Sequence, residues 1–265
     1  MLRAVEHIRR MRGGAQAHLM RCSDGCYYVV KSQNNPQHRR ILANEVLGTA
    51  LASRLGLPTA PFGVVEVEQE LIRLTDELVM QVGTSRTPCQ AGLQFGSLYP
   101  GDPAETPVFD FLPDETMALV ENQDDFLGML AFDKWTCNTN GRQTVFFRES
   151  GRSSYRATMI DQGFCFNAGE WNFPDAPLRG LYARQRVYSS VTSLASFEKW
   201  LARLEKKIGA GDLDAAAKQI PPEWYDYEID ALYGMLDRLE RRRTHVREQI
   251  EQARKSSRQP FPNWK

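Results

Sequence analysis

Two charged residues, a lysine in a strand and a glutamate in the following helix, have the types and spacing of a phosphate-binding pair. Lys31 ends the apolar run 27–30, which alternation predicts to be a strand. On a predicted helix over 37–55, Glu45 falls in the apolar stripe, where a carboxylate is costly unless it is paired. Lys31 is the natural partner, and a lysine held in this way can contact nucleotide phosphates. The alternative is a solvated lysine and a glutamate at the edge of the stripe.

A third charged residue stands where an apolar strand ends in a flexible turn. The run 157–160 delivers Asp161, and Gly163 frees the backbone two residues later. A carboxylate there suits Mg²⁺, which takes one or two carboxylates together with phosphate oxygens. Aspartate at a strand end is also a common turn residue, so Asp161 gains weight only from its order after Lys31 and Glu45.

These three residues, together with two sequence blocks, resemble the HipA-like kinases over roughly residues 10–180. One block lies between Glu45 and Asp161, and the other contains Asp161. The blocks are Phe-Asp-Lys-Trp-Thr-Cys-Asn-Thr-Asn-Gly-Arg-Gln at 132–143 and Ile-Asp-Gln-Gly-Phe-Cys-Phe at 160–166. The chain is also similar to the related phosphatidylinositol 4-kinases, in which a segment of the type N-T-D-R-x-x-x-N precedes I-D-x-G. Residues 95–97 (Phe-Gly-Ser) resemble the segment that joins the two lobes of such kinases.

The resemblance implies a bilobal kinase fold that binds ATP with Mg²⁺ between its lobes and transfers the γ-phosphate to a hydroxyl. Lys31 would contact the phosphates, Glu45 would hold Lys31, and Asp161 would carry the metal. Phe95 would lie beside the nucleotide. Gly13 and Gly14, which we place just before the first strand, would let the backbone approach it closely.

Three positions near the reaction itself depart from the family pattern. The aspartate that acts as catalytic base falls on Asn140, and the later metal-binding asparagine falls on Val145. Arg142 stands where the family has histidine or glycine. An asparagine does not accept a proton as a carboxylate does, so a base contribution of about 10²–10⁴-fold would be lost. Asn140-Gly141 is also typical of a plain tight turn.

A second register would restore the missing carboxylate. Asp133 and Asn138 have the spacing D-x-x-x-x-N of the protein-kinase catalytic loop, in which the aspartate orients the acceptor and the asparagine holds a second metal. Against this register, Asp133 lies in the predicted helix 124–137, about one turn too early. Asn138 remains a candidate metal ligand in either register.

The order of predicted elements favours an α+β fold with a small β-rich N-lobe and a larger helical C-lobe. A hairpin turns at Asp24-Gly25. The other predicted strands are 62–67, 70–74, 144–147 and 155–160, and the other helices are 124–137, 196–208 and 223–255. Residues 83–107 are rich in Gly, Pro, Ser and Thr, so we divide the chain there, into 1–95 and 96–265.

Composition excludes several classes of protein. The 265 residues carry 33 basic and 33 acidic side chains, a balance that argues against a dedicated nucleic-acid binder. No apolar run approaches the ~20 residues of a membrane-spanning helix. The five cysteines are scattered, and residues 1–7 lack a hydrophobic signal core, so we expect reduced thiols and a cytoplasmic protein.

Three functions remain open from the sequence. The first is a kinase whose acceptor is a protein serine or threonine, as HipA-like relatives suggest, or an inositol headgroup, as the lipid kinases suggest. The second is a pseudokinase that binds nucleotide or a protein partner, such as an antitoxin-like protein, without transferring phosphate. The third is an interaction scaffold that works through the basic C-terminal helix around residues 241–243.

Overall fold

The computed structural model describes residues 1–149 and 151–265 and shows a mixed α/β fold. The strands are β1 Leu2–Arg10, β2 His18–Cys22, β3 Tyr27–Lys31, β4 Phe62–Val67, β5 Val79–Val82, β6 Ser85–Pro88, β7 Gly92–Leu98, β8 Val108–Phe109, β9 Gln143–Phe147 and β10 Arg156–Ile160. The α-helices are α1 Ile41–Leu55, α2 Gln69–Arg73, α3 Asp114–Met117, α4 Asp125–Thr136, α5 Glu198–Lys207, α6 Ala210–Ala217, α7 Ile229–Arg241 and α8 Val246–Arg254. None of the described helices is long and apolar enough to cross a membrane.

A closed barrel forms the first part of the chain, with the strand order β1-β2-β3-β7-β4. The predicted hairpin is confirmed, because β2 and β3 pair antiparallel from His18 opposite Val30 to Arg21 opposite Tyr27. Parallel pairing of Leu2 with Val65 closes the barrel. Its interior is a small apolar cluster that includes Met20, Val30, Val65 and Met80.

Strand β1 is absent from the sequence prediction because little of it is buried. Its arginines and glutamate face solvent, and Ala4 is its one fully buried residue. Pairing with β2 on one side and β4 on the other holds it in place. Gly13 and Gly14 therefore lie in the turn between β1 and β2, and their predicted position before the first strand is wrong.

One further prediction in this region is wrong. Residues 70–74 are predicted as a strand, but the structure has α2, which buries Ile72 and pairs Arg73 with Glu70 one turn away, and Leu74 just after it is exposed. Residues 83–107, where we place the boundary between the lobes, contain β6 and β7, and that boundary stays a prediction. The division after residue 95 cuts through β7, whose Phe95 and Gly96 pair with β3 and β4 in one ladder.

The remaining elements surround a larger apolar core. Helix α1 contributes Ile41, Val46 and Leu51 to it, and α4 contributes Phe126 and Trp135. The predicted strand pair is confirmed as β9 and β10, in register from Gln143 opposite Ile160 to Phe147 opposite Arg156. The predicted helix 223–255 is broken into α7 and α8 by a 3-10 turn at Arg242–His245. An arrangement in two lobes stays a prediction.

Candidate functional site

Lys31, Glu45 and Asp161, which we call the lysine cluster, meet although they lie far apart in the chain. The Nζ atom of Lys31 donates to Oε1 of Glu45 at 2.5 Å and to Oδ1 of Asp161 at 2.5 Å. Side-chain exposure is 7% for Lys31 and 3% for Glu45, but 24% for Asp161. Solvent therefore reaches the cluster through the aspartate.

The electrostatics of the lysine cluster favour a bound cation. Burial opposes the charge on Lys31, but Asp161 and Glu45 outweigh it and raise the pKa of the lysine. One ammonium then faces two carboxylates, so the cluster has a formal net charge of −1 and is largely buried. Among the described residues, no hydrogen bond reaches Oδ2 of Asp161, which leaves that oxygen able to bind a metal.

Glu45 also fixes the backbone that follows Asp161. Its Oε1 accepts the Gly163 N–H at 2.9 Å and its Oε2 accepts the Gln162 N–H at 3.1 Å. Glycine is required at 163 because a Cβ there would lie 2.6 Å from Cγ1 of Ile41 and 3.0 Å from Oε1 of Glu45. Asp161 itself directly follows β10 and has a left-handed φ of 58°.

Asp133 belongs to a second buried network, the arginine cluster of Asp133, Asn138, Arg142 and Gln162. Arg142 binds Asp133 through both arms, with Nε 2.8 Å from Oδ2 and Nη2 bonded to Oδ1. The exposed fractions are 0% for Asp133 and 1% for Arg142. Asp133 is thus sealed inside α4 and does not face an acceptor, so the second register has no support in the structure.

Arg142, which the sequence marks only as a departure from the family pattern, joins the two clusters. Its Nη1 donates to the Ile160 carbonyl at 2.7 Å and to Oε1 of Gln162 at 2.9 Å, so it holds the residues on both sides of Asp161. Burial opposes the arginine charge, but Asp133 raises its pKa further. The spacing of Asp133 and Arg142 in the sequence does not indicate that they pair. The pair forms only when α4, which holds Asp133, packs beside the residue that precedes β9.

Asn138 is already engaged within the protein. Its Nδ2 donates to Oδ1 of Asp133 at 3.0 Å, and its Oδ1 accepts the Asn140 N–H at 3.0 Å. It is buried, so a role as a metal ligand would need rearrangement. Asn140 is half-buried in the predicted turn, where its Oδ1 accepts the Gly141 N–H and its carbonyl accepts the Gly180 N–H.

The remaining candidates lie in the barrel. Gly13 has a φ of 111° in the turn between β1 and β2, and a Cβ on Gly14 would lie 3.1 Å from Nε2 of Gln37, just before α1. Phe95 pairs with Lys31 across β3 and β7. Its ring stacks on Phe62 with centroids 5.9 Å apart, and it is buried, so it offers little surface to a nucleotide.

No three-residue group of histidine, cysteine, aspartate or glutamate in the described chain is placed to hold a metal by itself. A metal at Asp161 would need oxygens from its ligand or from water. That is the usual arrangement for Mg²⁺ bound with phosphates. The donor set therefore fits a metal that arrives with a nucleotide and does not fit a resident metal centre.

Comparison with known proteins bears directly on this geometry. A family model described as HipA-like kinase matches residues 4–256. The chain belongs to the HipA-like kinase family. No curated protein matches it.

Solved structures extend the family assignment to the fold. A Golgi casein kinase superposes with a TM-score of 0.57 at 12% identity, over 96% of this chain and 74% of that one. The same kinase with Mn and ADP bound gives a TM-score of 0.53 at 13% identity, over 94% and 74%. The Helicobacter pylori proinflammatory kinase CtkA gives 0.58 at 14% identity, over 92% and 94%. At such identities these similarities establish a kinase-like fold and no more.

Proposed function

We propose that this HipA-like kinase binds ATP with Mg²⁺ at the lysine cluster and transfers the γ-phosphate to a protein serine or threonine hydroxyl. The observation that carries the proposal is the double contact of Lys31 with Glu45 and Asp161. In protein kinases, a strand lysine paired with a helix glutamate and an aspartate after a later strand must all be in place for phosphoryl transfer. The family and the kinase-like fold agree with this assignment.

The chain's own residues would divide the work of binding. The ammonium group of Lys31 would contact the nucleotide phosphates while Glu45 keeps the lysine in position. Asp161 would hold Mg²⁺ through its partly exposed carboxylate, and the metal would neutralise charge that develops on the phosphates. The net charge of −1 on the lysine cluster supports a divalent cation as part of the ligand.

The transfer step depends on groups near Asn140. Most phosphoryl-transfer catalysis is positioning and charge stabilisation, so transfer is expected without a carboxylate at 140, although more slowly. An acceptor hydroxyl would lose its proton to solvent or to the transferred phosphate. A serine or threonine acceptor is favoured by the family and by the name of the Golgi casein kinase, which points to a protein substrate.

Asn140 also favours a second candidate function. A chain that keeps the lysine cluster but lacks the base could act as a pseudokinase, which binds nucleotide or a protein partner and transfers no phosphate. Asp133 offers no rescue, because Arg142 occupies both of its oxygens. Both functions share the nucleotide site and differ only in transfer.

Nucleotide binding is tested by thermal stabilisation with ATP, with and without Mg²⁺. At 100 times Kd, binding stabilises the fold by ~2.7 kcal/mol, which shifts the melting temperature measurably. We expect a Mg²⁺-dependent shift that disappears in Asp161→Asn. Asp24→Asn is the matched control, because Asn-Gly suits the same hairpin turn and the shift should be unchanged. No shift in the unmodified protein would overturn the proposed site.

Transfer is then tested with γ-labelled ATP, with dephosphorylated casein and phosphatidylinositol vesicles as separate acceptors. Asn140→Asp should raise transfer by about 10²–10⁴-fold if its carboxylate acts as the base. Label on casein from the unmodified chain supports the kinase. Label only after Asn140→Asp supports the pseudokinase, and label only on the lipid would overturn the protein acceptor.

A further inference from the structure

Asn44, the neighbour of Glu45 on α1, is fully buried, and all its side-chain hydrogen bonds are with the segment 162–171 that follows Asp161. Its Nδ2 donates to the carbonyls of Gly163 at 2.9 Å, Cys165 at 3.0 Å and Ala168 at 2.9 Å. Its Oδ1 accepts the indole N–H of Trp171 at 2.7 Å. One amide thus binds four residues of a single segment.

The surroundings of Asn44 fix the orientation of its amide. Three carbonyl oxygens face one end and an N–H faces the other, so a flipped amide would set oxygen against oxygen. The NH₂ group has two hydrogens for three acceptors, so one hydrogen is shared between two carbonyls. An aspartate would therefore not replace this residue.

The segment that Asn44 holds has an unusual backbone. Phe166, Asn167 and Ala168 have φ angles of 59°, 58° and 55°, a left-handed region that favours glycine, yet none of the three is glycine. Such conformations persist only where the surroundings over-determine them. The Asn44 bonds to Cys165 and Ala168 lie at the two ends of this stretch.

The same segment lacks the residues through which kinases are commonly switched. In protein kinases, phosphorylation of the loop after the metal-binding aspartate controls whether the lysine, glutamate and aspartate are assembled. Here no serine, threonine or tyrosine occurs between Asp161 and Tyr182.

A cation that could receive such a phosphate is already engaged. Arg40 donates to the Gly169 carbonyl at 2.8 Å and binds Glu228. Its guanidinium lies 4.0 Å from the centre of the Trp171 ring. Both terminal nitrogens of Arg40 and its face are therefore engaged within the protein without a phosphate.

We infer that the nucleotide site is assembled without phosphorylation of residues 162–180, and that Asn44 is the positioning residue that does this. The inference rests on the proposed function, because it concerns the same site. Asn44 and Glu45 are consecutive, so one turn of α1 fixes both the lysine and the backbone beyond Asp161. Loss of the Asn44 bonds would loosen residues 163–171 and leave Asp161 held only by Lys31 and by the neighbours that Glu45 and Arg142 bind.

The first experiment measures hydrogen exchange without nucleotide. In Asn44→Ala, and less strongly in Trp171→Phe, residues 162–171 should exchange at least about 10-fold faster while β9 does not change. Asn122→Ala is the matched control, since Asn122 bonds both backbone groups of Ala157 at the other end of β10. Unchanged exchange of residues 162–171 in both test variants would overturn the inference, whether or not the protein binds ATP.

The second experiment titrates Mg²⁺ at fixed ATP and follows thermal stabilisation. Loss of a residue that positions a metal ligand typically weakens metal affinity by about 10–100-fold, so the half-saturating Mg²⁺ concentration should rise by that factor in Asn44→Ala and partly in Trp171→Phe. ATP binding without Mg²⁺ and the Asn122→Ala control should not change. Equal Mg²⁺ midpoints in folded variants would reduce Asn44 to a purely structural role and overturn the inference.

The third experiment treats the purified protein with a broad-specificity phosphatase. The Mg²⁺ midpoint should remain unchanged after treatment, and a several-fold rise accompanied by loss of a phosphate from a peptide within residues 162–180, followed by mass spectrometry, would overturn the inference. Absence of any Mg²⁺·ATP stabilisation in the unmodified protein would count against the proposed function alone. The exchange experiment would then still decide whether Asn44 holds the segment.

Discussion

The lysine cluster and the arginine cluster are both buried, and they differ in charge balance and in access. In the arginine cluster one guanidinium meets one carboxylate, and both are shut off from solvent. In the lysine cluster one ammonium meets two carboxylates, and Asp161 remains partly exposed. A balanced, closed cluster is complete without a ligand. A cluster with one excess carboxylate that is partly exposed is stabilised further by a cation. We therefore assign a structural role to the arginine cluster and a binding role to the lysine cluster.

The sharpest test of this contrast removes the cation of the arginine cluster. Arg142→Met leaves Asp133 buried and uncompensated, which should lower the free energy of unfolding by about 3–5 kcal/mol. Urea denaturation measures the loss. Arg152→Met, which removes an exposed pair with Glu121, should cost far less. Similar losses in the two variants would show that the arginine cluster is not a structural anchor.

A pair of glycines distinguishes the two clusters by sterics. A Cβ on Gly180 would lie 2.3 Å from Cβ of Asp133, at a φ of 73°, so Gly180→Ala should cost about 2–4 kcal/mol. Gly163→Ala presses on Ile41 and Glu45 and should cost about 1–3 kcal/mol.

Only the second of these two variants should also affect the ligand. Gly163→Ala should reduce stabilisation by Mg²⁺·ATP, and Gly180→Ala should preserve it wherever the variant folds. Thermal scans with and without the ligand separate the two effects. Equal loss of ligand response in both variants would contradict the division between a binding cluster and a structural one.

Between pH 8 and pH 5 we expect acid sensitivity to come from histidines whose pKa is lowered by burial, chiefly His18 in the barrel and also His38 beside Gly163. Burial, with smaller contributions from His7 and Arg10, lowers the pKa of His18 to about 4. An unfolded chain takes up this proton near pH 6.5, so the stabilisation is complete above that pH. It is lost as the pH falls towards 4, by about 2 kcal/mol at pH 5.

Lys31 behaves in the opposite sense. Its raised pKa means that its contribution is complete below pH 10.5 and is lost only in alkaline solution. Urea denaturation at several pH values should therefore show a reduced acid slope in His18→Gln and an unchanged one in His245→Gln, at an exposed histidine. An acid slope unaffected by His18→Gln would assign the sensitivity elsewhere.

The smallest effect is expected where an ion pair is exposed. Arg54 at the end of α1 bonds Asp212 at 2.7 Å, but the arginine is 59% exposed. Arg54→Ala should change the free energy of unfolding by only ~0.2–1 kcal/mol in urea denaturation and should leave Mg²⁺·ATP stabilisation unchanged. A larger loss would mean that burial does not explain why the ion pairs of the two clusters contribute more to stability than the exposed Arg54–Asp212 pair.

Local patterns allowed the Lys31–Glu45 pair to be predicted and Asp161 to be singled out, because each residue carries its own signal, whereas the bond between Lys31 and Asp161 was not predicted. Lys31 ends an alternating strand, Glu45 interrupts an apolar helical stripe and Asp161 precedes a glycine. The hairpin, α1, α4 and the β9–β10 pair were equally readable, since each combines periodicity with a turn or cap residue. The roles of these residues in phosphate transfer stay predictions.

The rest depends on contacts between distant parts of the chain. Strand β1 is mostly exposed and gains its order from two neighbours, so its own pattern is weak. Asn44 looks like an ordinary polar residue in a helix, because its four partners follow it by more than a hundred positions. Arg142 pairs with Asp133 across a helix end, which spacing alone does not indicate.

The five cysteines can serve as built-in chemical probes of local opening. All are free thiols, and only Cys26, at the hairpin turn, is exposed. Burial raises the pKa of Cys22 and of Cys165 to about 12, and that of Cys89 to about 11, so alkylation there must wait for local opening. Cys22 and Cys89 belong to the apolar cluster of the barrel, and the carbonyl of Cys165 accepts a hydrogen bond from Asn44. The alkylation rates of these thiols would therefore report how often each region opens.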